Sequence, residues 1–264
     1  MKNTYTIFLA MTGLLLVALT NQCQNKSVVT GAVPATETII TNPEEKGPVV
    51  SISFQKGRFH NHPLMAIWVE DTSGRFIQNI YVAESIAKGV FRHADNSRGQ
   101  WMPGEIRRPA ALPYWGHKWG IRADDGLYLP TPKNPLPDAV SGPTPQGDFI
   151  IWSRLADTTL QVFRVMLEIN QSWDWNEYWT NNKFPDDKDY KTSSQPALVY
   201  SAKMDLTKGI REAEMQVIGR SHYSGKDGNL YTDLATLTTA LQIAKSIKVT
   251  CSGDAAKLHP SNTR

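Results

Sequence analysis

Cysteine is nearly missing from this chain, which has two in 264 residues, Cys23 and Cys251. Two thiols so far apart exclude a disulfide framework and a cysteine-based zinc site, both of which need several sulfur ligands. Charge of one sign is also scarce: 28 Lys and Arg stand against 25 Asp and Glu, a formal net charge of +3. The basic residues are scattered, so the electrostatic footprint of a nucleic-acid binder is lacking and no nucleic-acid partner is expected. No glycine-rich phosphate loop follows a strand-like run, Ser141 does not sit in a Gly-x-Ser-x-Gly turn, and no repeat recurs.

Only one apolar run is long. Residues 7–19, interrupted by Thr12 and Gly13 and preceded by Lys2, are too few to span a bilayer, which takes about 20 residues. They read as the core of a cleaved export signal over residues 1–23. Cys23 stands where a lipoprotein cysteine is acylated, which makes membrane lipid its expected partner and leaves Cys251 a lone thiol. If the signal is cut elsewhere, a disulfide between Cys23 and Cys251 becomes open to it. Residues 24–47 are rich in Thr, Pro, Asn and Glu without period and read as a flexible tether. One β-sandwich domain is expected over 48–252, with a disordered tail over 253–264, and the protein is expected to be exported, periplasmic or at the cell surface.

Alternation of apolar and polar residues marks the strands. Residues 49–56 alternate as a half-buried strand does, whereas residues 64–69 are nearly all apolar, as in a strand covered on both faces. Asp71-Thr72-Ser73-Gly74 turns the chain into a return strand over 76–83. Further strands are read at 149–152, 160–169, 196–204, 213–218 and 247–251. Leu234, Leu237, Leu241 and Ala244 recur at helical spacing behind Asp233, a candidate N-cap. Two long loops hold most of the tryptophan: 88–148, with Trp101, Trp115 and Trp119, and 172–194, with Trp173, Trp175, Tyr178 and Trp179. The expected fold is mainly β: an antiparallel β-sandwich, immunoglobulin-like in style, with long Trp- and Pro-rich loops and one short C-terminal helix.

Residues 137–147 read Pro-Asp-Ala-Val-Ser-Gly-Pro-Thr-Pro-Gln-Gly. Proline stiffens this stretch, and Thr144 offers a hydroxyl free of bulky neighbours with a carboxylate, Asp138, six residues upstream. Such an oxygen can accept a covalent group. The same string also serves as a rigid turn feeding the strand at 149. His60 and His62, two apart, would share one face of a strand and begin a metal site, but no third ligand is placed to complete it. Asp186, Asp187 and Asp189 lack the Gly and Glu of an EF-hand loop and read as a solvated acidic turn. No metal is expected.

Pro63-Leu64-Met65-Ala66-Ile67-Trp68-Val69-Glu70-Asp71, residues 108–118, Asp138-Ala139-Val140-Ser141-Gly142-Pro143-Thr144 and Thr238-Thr239-Ala240 together resemble the exported bacterial family known as domain of unknown function 2271. The resemblance extends over most of 49–251. It implies an extracytoplasmic protein associated with flavin transferases and membrane redox proteins. The string from Asp138 to Thr144 is also similar to the motif on which extracytoplasmic flavin transferases act, with Pro143 where Ala is usual. That likeness implies Thr144 as the acceptor of covalent FMN, Asp138 as the carboxylate gripped by the transferase, and Ser141 and Gly142 as small residues permitting close approach. Trp115, with Trp119 or Tyr114, would stack on the flavin ring, and Lys118 or Arg108 would pair with its phosphate. Two functions follow. The first is a membrane-tethered protein serving a redox system, carrying FMN on Thr144 for electron transfer without being an enzyme. The alternative is a binding module without cofactor, holding a glycan, peptide or protein on its aromatic loops.

Overall fold

The computed structural model describes residues 36–252. The expected signal, Cys23 and the tail over 253–264 lie outside the described residues. Thirteen strands, numbered along the chain, form two main sheets and a hairpin. The first sheet holds β1 (Glu37–Thr41), β2 (Val49–Lys56), β8 (Phe149–Arg154), β11 (Glu212–Glu214) and β13 (Ala244–Ser252), in the order β1-β8-β2-β13-β11. The second holds β3 (Leu64–Glu70), β4 (Phe76–Ala83), β7 (Ser141–Gly142), β9 (Val162–Asn170), β10 (Leu198–Asp205) and β12 (Gln216–Arg220), in the order β12-β10-β9-β3-β4-β7. β5 (Val90–Asp95) and β6 (Met102–Glu105) pair alone. Two short helices, α1 (Glu84–Lys88) and α2 (Pro113–Trp119), complete the set.

The period-2 patterns explain this arrangement. β2 turns Val50, Ile52 and Phe54 inward, and its partner β8 turns Phe149 and Ile151 to the same side; Phe54 and Phe149 are in register and stack at 4.6 Å. Facing them are Met65 and Ile67 of β3, Val165 and Leu167 of β9, and Leu198 and Tyr200 of β10, all in one apolar cluster. The other face of the second sheet is covered too. Ala66, Trp68, Val82, Met166 and Val199 pack under α1, α2 and Leu112 in a second cluster. β3 is therefore buried at every position, as its nearly unbroken apolar sequence requires.

The architecture is mainly β, with one sheet packed on the other, and both sheets are mixed: β1 runs parallel to β8 and β7 parallel to β4. Several boundaries differ from expectation. The stretch read as a tether ends early, because Glu37–Thr41 is strand β1, with Thr41 buried and Asn42 donating to the Asn79 carbonyl and Ser153 Oγ. The expected strand over 213–218 is two strands: the chain leaves the first sheet as β11 and enters the second as β12, with Met215 buried at the crossing.

The expected C-terminal helix is a series of turns ending in a single 3-10 turn, Ala240–Gln242. Leu237, Ala240 and Ile243 are buried while Leu241 is exposed. Threonines there are recruited from outside: Thr236 accepts from the Trp179 indole through Oγ1 and from Asn176 through its carbonyl, and Thr239 Oγ1 donates to the Asp174 carbonyl. Such side-chain and carbonyl bonds compete with the helical ladder. Asp233, the expected cap, pairs with Arg220 at 2.8 Å.

Candidate functional site

α2 is held by a carboxylate. Glu168, in the middle of β9 and completely enclosed, accepts from the backbone N–H groups of Tyr114 at 3.2 Å and Trp115 at 2.7 Å. Burial pushes its pKa up to about 8, against the pull of those donors. The Trp115 ring is fully buried, with its N–H on Asn79 Oδ1. Lys118 is occupied as well: Nζ donates to the Gly74 carbonyl at 2.9 Å and lies 3.5 Å from Glu70 Oε1, on a carboxylate that also accepts from the Trp68 indole. Of the three rings expected to stack on a flavin, Tyr114 and Trp115 are buried. Trp119 stays half-exposed, stacked on Trp115 at 5.6 Å beside a groove of about 330 Å³ lined also by Ile121, Arg122 and Leu129.

The four residues of the flavinylation-like string do come together at the free edge of the second sheet. Asp138 opens a 3-10 turn, its side chain 85% exposed and paired with Lys88 of α1 at 3.0 Å. Ser141 and Gly142 form β7, and the Tyr81 hydroxyl clamps the Gly142 and Pro143 carbonyls at 2.9 and 2.6 Å. Ser141 Oγ is buried without a partner, and Thr144 follows, half-buried. Of the residues expected to hold a flavin, Trp115 offers no open face, Lys118 is spent on Glu70 and Gly74, and Arg108 lies between the rings of Phe91 and Trp173.

A different surface carries exposed aromatic rings. The loop between β9 and β10 is rigid inside and aromatic outside. Its inner half buries Trp179 and Tyr190, with Asn176 Oδ1 accepting from the N–H groups of Tyr178 and Trp179. Its outer half exposes three large aromatic residues in one short stretch, Trp173 (43%), Trp175 (53%) and Tyr178 (43%). Trp173 has φ +64°, a left-handed backbone that a bulky residue adopts only when held there. Its N–H donates to the Ser193 carbonyl and its indole to that of Lys191. This fixes the ring over Arg108, whose guanidinium carbon is 4.5 Å from the Trp173 ring centre and 4.0 Å from that of Phe91.

The histidine pair does not lie on a strand. His60 and His62 lie in the loop after β2, where His62 is exposed with φ +52° and His60 packs edge-on against Phe54, half-buried. Asp187 is drawn into its own turn, accepting from Tyr190 N, and does not converge with Asp186 and Asp189. Sequence reasoning missed Glu168, Tyr81 and Phe91. A lone Glu inside the apolar run Val165-Met166-Leu167-Glu168-Ile169 was the available signal for the first; the other two look like ordinary strand aromatics. Among the described residues no helix is long and apolar enough to cross a membrane. No family model, curated protein or solved structure matches this chain.

Proposed function

We propose that this protein is an extracytoplasmic binding module whose aromatic loop, centred on Trp173, Trp175 and Tyr178, takes a glycan. The observation that carries this is the rigid outward display of those rings on a loop whose inner residues are core. Order in the loop lowers the entropy lost on binding, and flat exposed rings match the C–H faces of pyranose sugars. The export signal and acylated Cys23 expected from the sequence would place the module on a membrane surface. The test is retention of the mature protein on insoluble polysaccharide columns. Wild type is expected to be retarded and a Trp175→Ala/Tyr178→Ala variant to elute freely with unchanged unfolding temperature; free elution of wild type from every matrix sinks the reading.

A second reading keeps the redox association. Its support is the family resemblance together with the half-buried Thr144 at the end of a backbone clamped by Tyr81. The Thr144 oxygen would attack the FMN-side phosphorus of FAD and release AMP, leaving FMN as a phosphoester able to pass one or two electrons, with Trp119 the half-exposed ring of the expected set. Intact mass after co-expression with an extracytoplasmic flavin transferase decides it. A gain of one FMN that vanishes in Thr144→Ala supports a carrier, and an unchanged mass removes it.

A further inference from the structure

Neighbouring arginines in this chain have opposite fates. Arg107 is paired: Nε and Nη2 reach the two carboxylate oxygens of Asp125, Nη2 also donates to the Leu129 carbonyl, and Nη1 donates to that of Pro130. Arg108 has no ion pair among the described residues, and its Nε is buried without an acceptor. Burial alone draws its pKa down to about 10, with no carboxylate to oppose the shift. Desolvating a guanidinium is costly, and proteins ordinarily offset it with a carboxylate. Among the described residues the cation is met by the faces of Phe91 and Trp173, which attract it but accept no hydrogen bond in its plane. The two rings also hold the guanidinium in place, and because Nε is buried the donors left for a ligand are those of the two Nη atoms.

We propose that Arg108 is the anion-receiving residue of the aromatic face, and that the ligand is an acidic sugar whose carboxylate meets the Arg108 fork while neighbouring pyranose rings lie on Trp175 and Tyr178. This rests on the reading of the loop as a glycan-binding face. A guanidinium fork suits a planar carboxylate through two parallel hydrogen bonds, and a uronic acid carries that group at the rim of a ring with an apolar face. Arg108 thereby supplies what the exposed rings cannot, discrimination between a charged sugar and a neutral one of the same shape.

The test is calorimetric titration of the mature protein with trigalacturonate, maltotriose and inorganic phosphate, in wild type, Arg108→Met, Arg108→Lys and Trp175→Ala. Trigalacturonate is expected to bind about tenfold or more tightly than maltotriose, as loss of a charge-assisted hydrogen-bond pair implies. That preference should disappear in Arg108→Met, survive in part in Arg108→Lys and shrink with rising salt. Equal binding of both sugars, or a preference unchanged in Arg108→Met, overturns the proposal. If Trp175→Ala still weakens both sugars in that case, the glycan-face reading stands without it. Phosphate competing as well as trigalacturonate overturns the sugar carboxylate in favour of a bare anion site. Silence from all three probes overturns the acidic-sugar assignment, and the polysaccharide columns then judge the face independently.

Discussion

The α2 layer and the β9–β10 loop use the same ingredients, tryptophan and a cation over an aromatic ring, to opposite ends. In the α2 layer every group is consumed. Trp115 is enclosed and bonded to Asn79, and Lys118 sits 5.4 Å from the Tyr114 ring with the Glu70 carboxylate beside it. In the loop Trp175 and Tyr178 face water, and Arg108 stands between Trp173 and the buried Phe91 of β5 without a carboxylate. The difference teaches that residue type does not separate scaffold from site. What separates them is whether each polar group has its partner within the chain.

Substitutions can break this comparison, and the largest effect belongs to the scaffold. Trp115→Ala is expected to cost about 3–5 kcal/mol, from the cavity and the orphaned Asn79. Trp175→Ala should stay within about 0.5 kcal/mol, since its ring is 53% exposed. Equal losses in urea denaturation would show that the loop is core after all.

Glu168 comes next. Its ordinary pKa of 4.5 rises to about 8 on folding, so between those values the folded chain holds a proton that the unfolded chain has lost. Its contribution is therefore complete below pH 4.5 and is lost as pH rises towards 8. Glu168→Gln should flatten that fall in stability, whereas Glu168→Ala, which orphans two buried N–H groups, should cost about 2–5 kcal/mol at low pH, a deficit that narrows as pH rises towards 8. An identical pH slope in wild type and Glu168→Gln would refute the protonated carboxyl.

The two cations give the smallest contrast. Lys118→Met leaves the buried Glu70 carboxylate unpaired and is expected to destabilise by about 1–3 kcal/mol. Arg108→Met removes a charge that nothing in the described chain pairs, and stability should hold or rise by up to about 1 kcal/mol. A comparable loss from both would mean that Arg108 is structural.

Much of the sandwich was legible in the sequence because a strand's period is two and burial writes it directly. Residues 49–56 and the unbroken apolar run at 64–69 announced a one-faced and a two-faced strand, and both are present. The C-terminal helix failed because Leu234, Leu237, Leu241 and Ala244 carry helical spacing while the intervening threonines are taken by Trp179, Asn176 and Asp174. The string from Asp138 to Thr144 was visible as a unit because its members are contiguous. The set expected to hold a flavin was not a unit, since Trp115, Lys118 and Arg108 are neighbours in sequence but face different partners.

By itself, then, the sequence determined the mainly β architecture and the hairpin at Asp71, both local consequences of periodicity and turn chemistry. Only the tertiary structure decided that Glu37–Thr41 joins a sheet, that Glu168 anchors α2, and that Arg107 is neutralised while Arg108 is not. Those outcomes depend on partners 18 residues away, as for Asp125, or 53, as for Trp115, and no local pattern encodes which distant group will arrive to satisfy a charge.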